Sequence, residues 1–208
     1  MMKPMPKVIR RMYRQHEPHV MRDTNEAGLE LIRRAEGFRA NWYRCPAGVW
    51  TIGYGVTAAT GITRRKYPGP ITKEKAEKLL VKVLDRAYEP VIEGLVEVPL
   101  TDNQFSALAS FVFNVGPSAF ADSTLLKKLN RWEYRAAADQ LLRWVYATVD
   151  GKKTKMRGLK KRRKAERALF LERSSREVMI EIDRITPASV STAEIGSGFL
   201  DRIRSKIL

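Results

Sequence analysis

The sequence predicts an α+β, predominantly helical fold, with a small β-hairpin lobe, a long amphipathic helix and a helical lobe. Three observations carry that expectation. After Gly37 the helical period gives way to a hairpin pattern, in which Trp42-Tyr43, a Pro46-Ala47-Gly48 turn and Val49-Trp50-Thr51-Ile52 are followed by the paired glycines Gly53 and Gly55. From Thr72 to about Tyr88 the residues Leu79, Leu80, Val83 and Leu84 share one side of an amphipathic helix. From Thr101 onward, capping residues and apolar runs succeed one another with helical spacing.

Taken in order, the chain opens on a basic arm, residues 1–22, with Lys3, Lys7, Arg10, Arg11, Arg14 and Arg22 against Glu17 alone. It holds no apolar run near the roughly 20 residues of a membrane span, so synthesis as a soluble cytoplasmic chain is expected. His16 and His19 have no Cys or acid partner at metal spacing and read as solvated side chains; no metal or cofactor is expected. The central domain covers 23–174, with a small lobe over about 27–70, a connecting helix over about 72–90 and a helical lobe over about 100–174. At 208 residues, 44% of them hydrophobic, the chain can bury a sizeable core as one domain plus extensions.

The first helix is capped by Thr24 or Asn25, carries Leu29, Ile32, Ala35 and Glu36, and stops at Gly37. Glu36 lies one turn after Ile32, at the border of the apolar face, so it should be partly desolvated. A polar loop from Thr57 to Pro70 closes the small lobe. Pro90 is expected to kink or stop the connecting helix. Thr101 to Gln104 resembles a cap for a central, nearly all-apolar helix from Phe105 to Val115, ended by Gly116-Pro117. Further helices are expected over Thr124–Leu129 and Tyr134–Tyr146, with Trp132 and Trp144 as core candidates. The C-terminal extension, 175–208, carries a capping box at Ser191 to Glu194 and an amphipathic helix with Ile195, Phe199, Ile203 and Ile207 on one side. That helix either docks on the domain or acts on membranes, docking being favoured.

A net charge of +16 and a pI near 10.2 point to a polyanionic partner: nucleic acid, an anionic membrane or an anionic wall polymer. The densest basic stretch, Lys152 to Lys164, is by itself a phosphate-binding or targeting pattern. Cys45 is the single cysteine, so an internal disulfide is excluded. Chemistry concentrates at Glu36. No acid follows it until Glu74, and Arg39, Trp42, Tyr43, Arg44, Cys45 and Thr51 lie between. Burial and the negative helix end both favour the protonated acid, the form that a general acid needs. A solvated helix-end glutamate is the plain alternative.

The spacing Glu36-x8-Cys45-x5-Thr51, followed by Ile52-Gly53-Tyr54-Gly55, resembles the phage lysozyme (endolysin) family, glycoside hydrolase family 24 type, whose motif is Glu-x8-Asp/Cys-x5-Thr. Four later blocks resemble it in order: Thr101 to Leu108, Phe111 to Gly116, Ser123 to Asn130 and Gly158 to Glu166. The likeness covers about Thr24 to Glu172. It implies a lysozyme-like two-lobe fold and a muramidase with Glu36, Cys45 and Thr51 as catalytic residues. Tyr54, Gly55, Phe113, Asn114 and Ser123 would bind substrate, with core packing as the alternative for Phe113. Arg162 and Arg163 would give structural or electrostatic support, one of them pairing with Glu36 or with neighbouring acids.

The implied partner is bacterial peptidoglycan, with anionic outer-membrane or wall polymers drawn to the basic surface. Nucleic acid is the less expected physiological partner, and a monomer is expected. The chain would reach the wall through a holin-type pore made by another phage protein, or with the virion. The acid partner of a two-carboxylate glycosidase is absent near Glu36, so Cys45 either orients water with Thr51, acts as a thiolate base or attacks the sugar. Two other functions stay open, a lytic transglycosylase and a non-enzymatic cationic protein that binds membranes or nucleic acid.

Overall fold

The computed structural model describes residues 22–45, 48–149 and 151–172. The chain divides into a unit of Met1–Glu172 and a second of Arg173–Leu208, and the described residues belong to the first. The basic arm before Arg22 and the C-terminal helix expected after Ser191 lie outside them.

Helix α1 spans Glu26–Glu36. Asn25 caps it by accepting from the Gly28 amide, and Gly37, at φ +69°, ends it. Thr24 is not the cap; its amide and hydroxyl both donate to the buried Glu89, at 2.9 and 2.6 Å. Strands β1 (Arg39–Arg44), β2 (Trp50–Gly53) and β3 (Val56–Thr57) form an antiparallel sheet in that order. Tyr43 faces Thr51, and Thr51 faces Thr57. The register of β1 against β2 shifts between Arg39 and Tyr43, a bulge that twists the strand.

The connecting helix departs from expectation. Helix α2 (Lys73–Val83), capped by Thr72, runs into a π-helical turn at Leu84–Tyr88 and then α3 (Glu89–Leu95). Pro90 therefore does not stop it, since the helix runs on to Leu95. The Glu89 amide reaches back to the Leu84 carbonyl, and this widened turn comes just before the residue that lacks a donor.

Helix α4 (Asp102–Val115) is the centre of the helical lobe, as its apolar run predicts. Every residue from Phe105 to Val112 is buried. Thr101 and Gln104 close a reciprocal capping box at its start. A short α5 (Pro117–Ala121), α6 (Thr124–Leu129) and α7 (Tyr134–Leu141) follow.

The sequence reading carries the last of these helices on to Tyr146, whereas the structure ends it at Leu141. A hairpin of β4 (Tyr146–Val149) and β5 (Lys152–Lys155) takes over. Val145 to Val149 is rich in β-branched and aromatic residues, and Gly151, at φ +74°, turns the chain. Helix α8 (Arg157–Leu171) completes the described chain.

Three apolar clusters hold these elements. The largest surrounds α4 with Ile92, Phe105, Phe111, Phe120, Leu129, Leu141 and Phe170. A second joins Ile32 of α1 to Tyr54, Ala76, Leu80 and Leu84. The third places the sheet on α2 through Ile52, Val56, Ile62, Leu79 and Val83. Tyr88 of the π turn packs against all three, which makes it the junction of the two lobes.

Candidate active site

Glu36 is the last residue of α1, so its position is set by how that helix packs. Leu31 packs against the helical-lobe core and Ile32 belongs to the second cluster, which wedges α1 between the lobes. The Glu36 side chain, one turn beyond Ile32, is 23% exposed and emerges where the lobes meet. On one side stands Gly55, at φ +73°. A Cβ built there would lie 2.8 Å from Glu36 Oε2, so only glycine permits this approach and this backbone.

On the other side stands α8. Arg162, 5% exposed, donates through Nη1 to Glu36 Oε1 at 2.6 Å. Its Nη2 donates to the Ser110 carbonyl at 2.9 Å, and its Nε to Glu166 Oε1 at 3.1 Å. Glu166 is fully buried and also accepts from Ser110 Oγ at 2.8 Å and from Arg163 Nη2 at 3.0 Å. Arg163 Nε lies 2.9 Å from Glu166 Oε2, near enough for an ion pair though without hydrogen-bond alignment. Burial pushes the Glu166 carboxyl upward, against the pull of both arginines. It pushes the Arg163 guanidinium down to about 10, still charged at neutral pH. The arginine that pairs with Glu36 is Arg162; Arg163 turns its Nη2 to Asn114 Oδ1, at 3.0 Å, and lies over the Phe111 ring.

The sheet supplies the third wall. The Val49 carbonyl accepts from both the Cys45 amide, at 3.0 Å, and the Thr51 hydroxyl, at 3.1 Å, and so ties the two predicted residues together. Thr51 is 2% exposed, and its hydroxyl proton is engaged, which leaves its lone pairs as acceptors. Tyr43, on β1 two residues before Cys45, is held above the usual tyrosine range by burial first and by the Glu36 charge second. Tyr88 is shifted the same way by the same two causes. Its ring lies 5.1 Å from that of Phe113.

The residues expected at the substrate divide. Gly55 backs Glu36, Asn114 is exposed beside Arg163, and Phe113 is half-buried against Tyr88. Tyr54 is 7% exposed in the small-lobe core, with its ring 5.6 Å from Phe38. Ser123 is 4% exposed, and its Oγ caps α6 by accepting from the Leu126 amide. Both side chains are occupied by packing or capping.

Sequence reasoning missed Tyr43, Tyr88, Ser110 and Glu166. Tyr43 could have been found from its two-residue offset from Cys45, and Glu166 from its three- and four-residue offsets from the two arginines. Nothing in the sequence signals Tyr88, because its direction depends on the π turn.

An acid at a helix end, with a short sheet beside it and an arginine of the helical lobe paired to it, sits on a lysozyme-like α+β fold. The chain belongs to the phage lysozyme family, whose model matches residues 33–166. It is 45% identical to an endolysin of Acyrthosiphon pisum secondary endosymbiont phage 1 over 146 residues, covering 70% of this chain and 96% of that one. It is 42% identical to an endolysin of Salmonella phage P22 over 158 residues, covering 73% and 99%. Among solved structures it resembles the muramidase domain of SpmX from Asticaccaulis excentricus, with a TM-score of 0.61, 35% identity, and 72% and 98% of the two chains covered. The protein is an enzyme, a phage endolysin-type lysozyme, and its substrate is peptidoglycan.

Proposed function

We propose that the enzyme hydrolyses the β-1,4 bond between N-acetylmuramic acid and N-acetylglucosamine, with Glu36 as the general acid. The observation that supports this reading is the seating of Glu36, a partly exposed carboxyl between Gly55 and Arg162 whose charge acts on Tyr43 of β1, the strand that ends just before Cys45. Glu36 gives its proton to the leaving glycosidic oxygen as the bond to the anomeric carbon breaks. Water attacks that carbon from the opposite face. Thr51 accepts a hydrogen bond from this water, since its own proton is committed to Val49. Cys45, tied to the same carbonyl through its amide, helps to orient the water.

A second carboxylate would stand about 5 Å away in a retaining enzyme or about 6.5 to 9.5 Å away in an inverting one. Glu166 is the carboxyl nearest in the network, and its full burial and three donors exclude it from reaching sugar. A single acid with an oriented water favours inversion at the anomeric carbon.

The enzyme works as a monomer on the wall and reaches it from the host cytoplasm through a pore made by another phage protein. Among the described residues, no helix is long and apolar enough to cross a membrane. Glu36→Gln tests the assignment, because Gln keeps an oxygen for Arg162 but has no proton to give. It should fold normally and lose about 10² to 10⁴ in rate, read as reducing ends released from purified wall. Near-parental turnover would refute the role of Glu36, and a product lighter by one water would reassign the reaction to a transglycosylase.

A further inference from the structure

Helix α8 shows two different surfaces. Its inward stripe, Arg162, Arg163, Glu166, Leu169 and Phe170, is buried and belongs to the site and the core. Arg157, Lys160, Lys161 and Lys164 follow the i, i+3, i+4, i+7 pattern of a second stripe, and all four are exposed. Immediately before it, Lys152, Lys153 and Lys155 of β5 are exposed as well. No acid occurs from Gly151 to Ala165, and among the described residues none of these seven cations is paired with a carboxylate. The family's chemistry at Glu36 uses none of them.

The hairpin adds an apolar component. The pairs Tyr146↔Lys155 and Thr148↔Lys153 put these four residues on one face. Lys153 Nζ lies 5.1 Å from the centre of the Tyr146 ring, which is 48% exposed. Met156 is 36% exposed beside the Val145 carbonyl, and Leu142 is 41% exposed just before the hairpin. Among the described residues, three of the five exposed large apolar side chains thus flank one cationic hairpin in the sequence. A soluble polyanion would need the charges alone. An anionic lipid surface needs both, because lysines meet phosphate while tyrosine and methionine enter the interfacial layer.

We propose that the β4–β5 hairpin and the outer stripe of α8 form a docking surface for an anionic phospholipid membrane. The proposal rests on the muramidase reading only in that peptidoglycan brings the enzyme beside a membrane. Docking there would hold the enzyme next to its substrate without occupying the site.

The test uses the full-length chain and vesicles of phosphatidylglycerol mixed with phosphatidylcholine, read by co-sedimentation at physiological salt. Each lysine near an anionic surface is worth about five-fold in binding, so the triple change Lys152→Gln, Lys153→Gln and Lys155→Gln should weaken it about 100-fold. Tyr146→Ser should weaken it several-fold. Both variants should melt like the parent and hydrolyse a short soluble wall oligosaccharide at the parental rate. Parental vesicle binding by the triple variant would overturn the proposal. So would a Tyr146→Ser variant that loses nothing while the parent binds polyphosphate as tightly as vesicles, since the surface would then read charge alone. A parent that binds vesicles but fails to cleave the oligosaccharide would sink the muramidase assignment and leave the docking surface standing.

Discussion

Arg162 holds two carboxylates at once: Nη1 meets Glu36 at 2.6 Å while Nε meets the buried Glu166 at 3.1 Å. Only a planar, multi-donor side chain can reach both, so lysine is not a conservative replacement. Arg162→Lys should lower stability by about 1.5 to 3 kcal/mol, the worth of a hydrogen bond to a charged group. Because Glu36 would lose its brace, wall hydrolysis should fall at least ten-fold. Denaturant unfolding and reducing-end release measure the two effects, and parental values in both would show that the bridge is dispensable.

Gly55→Ala tests the other side of Glu36. The added Cβ would lie 2.8 Å from Oε2 on a backbone at φ +73°. The left-handed backbone alone should cost about 1 to 2 kcal/mol. Displacing the carboxyl by about 1 Å should cost on the order of 100-fold in rate. An alanine variant that melts lower but turns over at the parental rate would mean that the acid has more freedom than its contacts imply.

Cys45 distinguishes mechanisms. With the side chain only orienting water, Cys45→Ser should keep appreciable activity and Cys45→Asp should be at least as active as Ser. A required thiolate base would make Ser fail and Asp recover, because the hydroxyl is a far weaker base near neutral pH. Retained anomeric configuration, together with a sugar-bearing Cys45 peptide in the mass spectrum, would replace the water mechanism with a covalent one.

Much of this site is legible in the sequence because it depends on local spacing. The Ile32 to Glu36 offset, the Asn25 cap and the Gly37 stop place the acid, and the hairpin residues after Gly37 place the strands that face it. What escapes is whatever depends on register or on distant packing. Pro90 signals a break, but the wider turn at Leu84–Tyr88 absorbs the missing donor, and no periodicity reports such a turn. The β4–β5 hairpin is hidden by composition, since Lys152 to Lys155 has no apolar alternation; Asp150-Gly151 in the sequence was the available signal. Trp132 reads as an ordinary core residue, yet it adopts φ +68°, a conformation fixed by the turn between α6 and α7.

A pH effect follows from Glu89. Burial first, and nearby Asp23 and Asp85 to a lesser degree, hold its carboxyl above the ordinary range, against the hydrogen bonds from Thr24. The unfolded chain therefore releases this proton at lower pH than the folded one. The stability it contributes is present below the ordinary carboxylate range and is lost as pH rises through the folded value. Glu89→Gln keeps an oxygen for both Thr24 donors and does not titrate. Its melting advantage over the parent should grow from about pH 4 to about pH 7. A constant difference across that range would rule out the effect.

In α8 the arginine that braces Glu36 and the lysines that face solvent are separated by nothing except phase. Each residue of an α-helix turns about 100°. Inserting one residue between Arg157 and Arg162 would rotate the following side chains by that angle relative to the preceding hairpin. Arg162, Arg163 and Glu166 would turn together away from Ser110 and Asn114, and Arg162 would leave the acid that it braces. An extra residue at the hairpin tip, between β4 and β5, would leave the winding of α8 untouched. Length variation in this segment should therefore be tolerated at the tip and lethal within the helix, and a library of single-residue insertions scored by plate lysis would map that boundary.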